Sequence, residues 1–254
     1  MTTTSPITTG PVSSASVSSG PIAPAVHRGP HPGILALLYT VLFCVGLYPV
    51  TNLYKEPYWP PPWESAAVIV NYFQHYGARV IICLTLQLGA WVCFGIFTAT
   101  VVSRLHFLGA RAAGTYIALF GGFLVVADSF AGTMAMWTLL RPGVNENGTL
   151  VLALNYFSYG LGGPGFSVPM GLLLAGVSVT AAFMKLLPKW VIVLGLVLAA
   201  AGELSWLHLA VFPHLLFLIP LVRFPGFVWV IAVGFLLPKS RGVRQEAEPA
   251  GAGR

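Results

Sequence analysis

The sequence predicts an all-α, polytopic membrane protein with six transmembrane helices and two short outer interfacial helices. Three observations lead there. Charged residues make up only 8% of the chain and hydrophobic residues 56%, at a mean hydropathy of +0.81, whereas a soluble domain carries roughly a quarter charged residues. Several apolar runs reach the roughly 18 to 20 residues that cross a hydrocarbon core about 30 Å thick. The basic residues behind the net charge of +6 are scattered through short loops between those runs. That pattern sets topology and points away from nucleic acid, which needs a patched basic face.

Residues 1–30 are rich in Ser, Thr, Pro and Gly without apolar periodicity and read as a disordered leader. They hold no apolar core of a cleavable signal, so the first span is expected to direct insertion. Pro32 suits the first turn of a helix, and Gly33–Val50 is that span. Thr51–Pro62 is a proline-broken loop whose Tyr54, Tyr58 and Trp59 belong at a membrane interface. In Trp63–Gly77, Trp63, Ala66, Ala67, Val70 and Phe73 recur at spacings of three and four, while Glu64, Asn71 and His75 share another stripe. This run is too short and polar to cross, so it is expected to lie along the interface.

Arg79–Val102 is the second span, with Gln87 inside it, and a tight basic turn, SRLHFLGAR, follows. The third span, Ala112–Leu140, places Gly114, Ala118, Gly121, Gly122, Gly132 and Ala135 on one side together with Asp128 and Ser129. Small residues mark a close helix neighbour, so Asp128 is expected to face the bundle. After the turn-rich Arg141–Thr149, residues 150–184 read in two ways. Either an interfacial helix precedes a fourth span starting at Pro164, or one long span is broken at Gly162–Gly165. The first is preferred, because Pro164–Met184 alone reaches about 30 Å. Trp190–Phe212 and Leu215–Leu237 are the fifth and sixth spans, and a polar tail runs to Arg254. Arg28, Arg104, Arg111, Lys185, Lys189, Lys239, Arg241, Arg244 and Arg254 then share one side against Lys55, Arg79, Arg141 and Arg223. This asymmetry predicts that both termini are cytoplasmic.

The candidate site is the intramembrane set Asp128, Glu203 and Arg223. Counted from a turn at Pro213, Glu203 and Arg223 are equidistant, so an antiparallel hairpin sets them at one depth, roughly 15 Å in. Either charge alone in hydrocarbon costs at least a few kcal/mol, so the two are expected to pair. The pair reads as the floor of an outward cavity or as a clamp between the last two spans. Asp128 reads as a neutral acid bonded to the glycine-rich face or as a second partner of Arg223. His75, Arg79, Gln87 and His208 form a possible outer vestibule. Glu203 and His208 stand five apart, about 140° around a helix, which is poor spacing for a metal, and no metal or cofactor is expected. HExxH, GxSxG and P-loop patterns are absent, so no catalytic residue is assigned. Cys44, Cys83 and Cys93 lie within apolar runs and read as packing residues.

The stretches GGPGFSVPMGLLLAG at 162–176, LLPKW at 186–190 and LIPLVRFPGFVW at 218–229 resemble uncharacterised bacterial inner-membrane proteins, grouped only as domains of unknown function. The resemblance implies a bacterial cytoplasmic membrane and carries no activity or residue role. Three functional classes follow from the residues. The first is a binding protein or proton-coupled transporter for a small solute. The second is a structural subunit that recruits a protein partner, and the third an intramembrane enzyme acting on a lipid-like substrate. The set leans away from an enzyme, and the one partner common to all three is the bilayer.

Overall fold

The structure is a computed structural model that describes residues 25–51, 58–212 and 214–240. Residues 1–24 of the leader, Tyr54, Lys55, Pro213 and the tail from Arg241 onward lie outside the described residues. His27–Lys239 forms one compact unit. Outside it, Val26 and Ser240 make an isolated antiparallel bridge.

This unit is helical, and six of its stretches are long and apolar enough to cross a membrane. They are α1 (Pro32–Thr51), α2 (Ala66–Phe107), α3 (Ala113–Leu139), α4 with α5 (Gly148–Gly162, Pro164–Phe183), α6 with α7 (Lys189–Leu204, His208–Val211) and α8 (Leu218–Leu236). A 3-10 turn, Ser205–Leu207, joins α6 to α7. The two ends of the unit meet at one face, where the His27 N–H donates to the Lys239 carbonyl at 2.9 Å. There Arg104, only 3% exposed, donates from Nη1 to the Leu237 carbonyl at 3.2 Å. On the opposite loop face, the Tyr72 hydroxyl donates to the Val50 carbonyl at 3.3 Å, and Gln74 Nε2 to the Asn145 carbonyl at 3.2 Å.

Both short outer runs are present, but not as separate helices lying flat. The Trp63–Gly77 run continues into its span as one 42-residue helix, α2. Gly77 costs a helix only about 1 kcal/mol, and no proline interrupts it. Ser65 caps the start, its hydroxyl accepting from the Val68 N–H at 3.4 Å. At 1.5 Å per residue α2 is about 63 Å long, roughly twice the hydrocarbon thickness. Its first third therefore projects on the loop face, where Ile69, Phe73 and Val80 pack with Leu139 and Val151 in a small second core.

The stretch 150–184 is one broken span, against the preferred sequence reading. Along the whole of α3 the contacts step antiparallel: Gly132 against Ser158 and Leu161, Gly121 against Pro169 and Leu173, Gly114 against Gly176 and Thr180. α4 continues the line of α5 because Gly132 leaves room for it. The break falls at Gly163, with Pro164 opening α5 at its first turn, where a missing N–H costs nothing. The main core lies between α1, α2, α3, α5, α6 and α8, around Tyr39, Phe43, Trp91, Phe94, Phe166 and Trp229.

Candidate functional site

α6 and α8 run antiparallel, pinned where Trp229 Nε1 donates to the Val191 carbonyl at 3.2 Å. The ion pair expected between their charges is not formed. Rotation about each helix axis sends the two side chains to different neighbours. Glu203 faces α5, its Oε1 lying 2.9 Å from where a Cβ would stand on Gly171. That oxygen is buried without a hydrogen-bond partner. Arg223 instead turns to the break in the fourth span, where its Nη2 donates to the Gly162 carbonyl. Its guanidinium lies 4.3 Å from the Phe166 ring centroid and 5.4 Å from that of Phe43. Aromatic faces and a carbonyl thus take the place of the expected carboxylate.

Asp128 meets the other side of the same elbow. Its Oδ2 lies 3.4 Å from the Cβ position of Gly165. It is half-buried and lines a groove of about 660 Å³ with Tyr156, Phe157, Gly160, Pro164, Trp206 and Leu209 among others. Several of these are exposed apolar side chains, Leu209 at 77% and Trp206 and Phe157 at 56% each. The groove therefore opens outward from the bundle, and Asp128 stands at its edge instead of facing wholly inward. Among the described residues, its lining contains no base.

A second cavity, of about 330 Å³, lies beneath the Trp59–Pro62 segment. Asn155, Ser158, Tyr159 and Gly162 line it at helical spacings of three, four and seven, facing Ile219 and Arg223 of α8. Tyr156, Phe157, Gly160 and Leu161, on the adjoining stripes of α4, serve the groove. A smaller cavity of about 210 Å³ lies next to both, lined by Tyr156, Tyr159 and His208. There the Tyr159 hydroxyl and His208 Nε2 are 3.0 Å apart.

The intramembrane set is thus three separate environments arranged about one elbow. Of the expected vestibule, His208 is drawn in and 2% exposed. His75 and Arg79 are exposed and stack with Tyr76, at 4.6 Å and 5.0 Å. Gln87 is half-buried and packs by its Cγ against Gly46. Neither the groove nor the Arg223 cavity is lined by these last three. The residues that sequence reasoning passed over are Asn155, Ser158 and Tyr159. Their helical spacing inside an apolar run was the available signal. Among the described residues, no three His, Cys, Asp or Glu side chains gather as a metal set.

Comparison with protein-family models, curated proteins and solved structures returns no match. The chemistry of the site has to be read from the geometry alone. It comprises a carboxyl in an apolar, aromatic groove and, across the break, a guanidinium in a cavity shared with Asn155, Ser158 and Tyr159.

Proposed function

We propose that the chain is a multi-pass protein of a bacterial cytoplasmic membrane, with both termini cytoplasmic, that binds and moves a lipophilic cation through the Asp128 groove. One observation carries this reading: a lone carboxyl stands in a 660 Å³ apolar groove whose described lining offers it no base. That volume lies within the range of sites for drug-sized ligands. A cation entering it meets the carboxylate and the rings of Tyr156, Phe157 and Trp206, which attract positive charge through their faces. Away from water both attractions strengthen. An apolar body fills the rest of the groove, and the ligand arrives from the bilayer, towards which the exposed lining opens.

Movement follows from competition. One carboxyl holds either the cation or a proton, so loading one releases the other, which is the minimal requirement for exchange. The break at Gly163, where helical hydrogen bonding is already interrupted, is where the groove wall can pivot. Arg104 and Lys239, on the face where the ends of the His27–Lys239 unit meet, support the orientation.

The test is binding of tetraphenylphosphonium to the full chain in nanodiscs, by isothermal titration calorimetry in buffers of different ionisation enthalpy. The expected result is saturable binding with release of up to one proton per site, and a loss of tenfold or more in Asp128→Asn, equivalent to about 1.4 kcal/mol. If Asp128→Asn binds as tightly as the parent chain, or no proton is released by either protein at any pH, the reading fails.

A further inference from the structure

The cavity beneath Trp59–Pro62 has the opposite chemistry. Arg223 reaches it with a full positive charge, and among the described residues its lining holds no acid. A guanidinium has five N–H donors. The Nη2 group is engaged by the Gly162 carbonyl, and Nε is buried with no partner. The rings of Phe43 and Phe166 lie within 5.4 Å and 4.3 Å of the guanidinium carbon. The ring faces answer the charge but carry no lone pair, so Nε is left without a directed acceptor.

A second orphan lies in the same lining. Asn155 is 1% exposed, and its Nδ2 has no hydrogen-bond partner. Leaving such a buried donor unmade is costly, and a charged one more so. Two unmet donors thus belong to side chains that line this one cavity, one cationic and one neutral, and an acceptor carrying negative charge suits both. A planar group with two oxygens answers both, one oxygen taking the Arg223 fork and the other Asn155.

We propose that this cavity binds a carboxylate, held between Arg223 and Asn155 where α8 meets the broken fourth span. The site uses none of the atoms of the Asp128 groove and holds whether or not that groove carries a cation. The volume of about 330 Å³ admits a small organic acid. A fatty acid's head group would present the same carboxylate from the bilayer side.

The experiment is a ¹⁹F NMR titration of 4-fluorobenzoate into the full chain in zwitterionic nanodiscs, with neutral 4-fluorobenzamide as control. The expected result is saturable broadening by the acid and none by the amide. Asn155→Leu weakens the acid tenfold or more, Arg223→Met abolishes binding, and Asp128→Asn leaves it unchanged. Because either change could disturb the fold, the near-isosteric Asn155→Asp is included. It places the chain's own carboxylate beside Arg223 and is expected to exclude the probe while melting no earlier than the parent. Equal binding of acid and amide, or an Asn155→Asp variant that titrates like the parent, overturns the proposal. Displacement by inorganic phosphate at a lower concentration than by acetate overturns the choice of a carboxylate. Palmitate placed in the disc separates the sources, since displacement assigns the carboxylate to the membrane and no displacement to water, either of which keeps the site.

Discussion

Replacing Gly121 by alanine tests the architecture that positions everything else. A Cβ there would stand 2.5 Å from the Pro169 carbonyl oxygen, 2.7 Å from the Leu173 nitrogen and 2.8 Å from Leu172 Cβ. Ordinary contact begins at 3.4 Å, so α3 and α5 must part by about 0.9 Å, the difference between 3.4 and 2.5. Two of the three atoms belong to backbone and cannot rotate aside. Overpacking of this kind costs about 1–3 kcal/mol, and the helix preference of alanine over glycine returns about 0.5–1. The net expectation is a loss of about 1 kcal/mol and at most about 2.5, read by reversible SDS unfolding in mixed micelles followed by circular dichroism. Gly160→Ala is the control, because nothing lies within 4 Å of its Cβ position. It is expected to hold its stability or gain up to about 1 kcal/mol. A Gly121→Ala variant as stable as the parent, or a Gly160→Ala variant that loses as much, refutes the close α3–α5 crossing. Asp128 is two turns along α3 from Gly121, so the same substitution also widens the groove and weakens tetraphenylphosphonium.

Three further outcomes are expected. Trp206→Ala removes an aromatic wall of the groove and weakens tetraphenylphosphonium by about 0.5–2 kcal/mol in calorimetry, with the carboxylate probe unaffected. Tyr159→Phe removes the 3.0 Å contact with His208 but keeps the ring packing on Trp63 and Phe212. It should cost about 0.5–1.5 kcal/mol of stability in the same SDS titration. His27 lies ahead of the first span, and burial, then the charge of Arg104, lower its pKa from 6.5. Its neutral form is thus the one the fold prefers. Its effect is absent above about pH 6.5, grows as pH falls below that value, and levels off once the folded-state pKa is passed. Melting temperatures from pH 8 to 5 should fall less steeply in His27→Gln, and parallel curves would show that His27 contributes nothing.

How much of this was legible in the sequence depends on which coordinate is asked for. Length and hydropathy placed all six spans, since crossing a membrane is a one-dimensional requirement. Small residues on α3 correctly marked a close neighbour, and Gly114, Gly121 and Gly132 do meet α5 and α4. Rotation was not legible. Counting from a turn gave Glu203 and Arg223 a common depth but could not give their azimuth. That was decided by Phe43, Phe166 and the Gly162 carbonyl, all far away in the chain. Helix continuity was misread for a related reason. Polarity in Trp63–Gly77 looked like an interfacial helix, yet polarity alone breaks nothing, and α2 runs on beyond the apolar layer. Gly162–Gly165 did carry a real break, but sequence could not show α4 seated on Gly132.

The contact between Arg223 and the Gly162 carbonyl also has a consequence in time. Gly162 leaves the ribosome 61 residues ahead of Arg223. Until α8 arrives, the broken fourth span has a carbonyl exposed to hydrocarbon, a condition that favours lingering at the translocon or borrowing water. This late-arriving segment therefore acts as a keystone, and a chain stopped short of Arg223 is the form expected to be handed to membrane quality control.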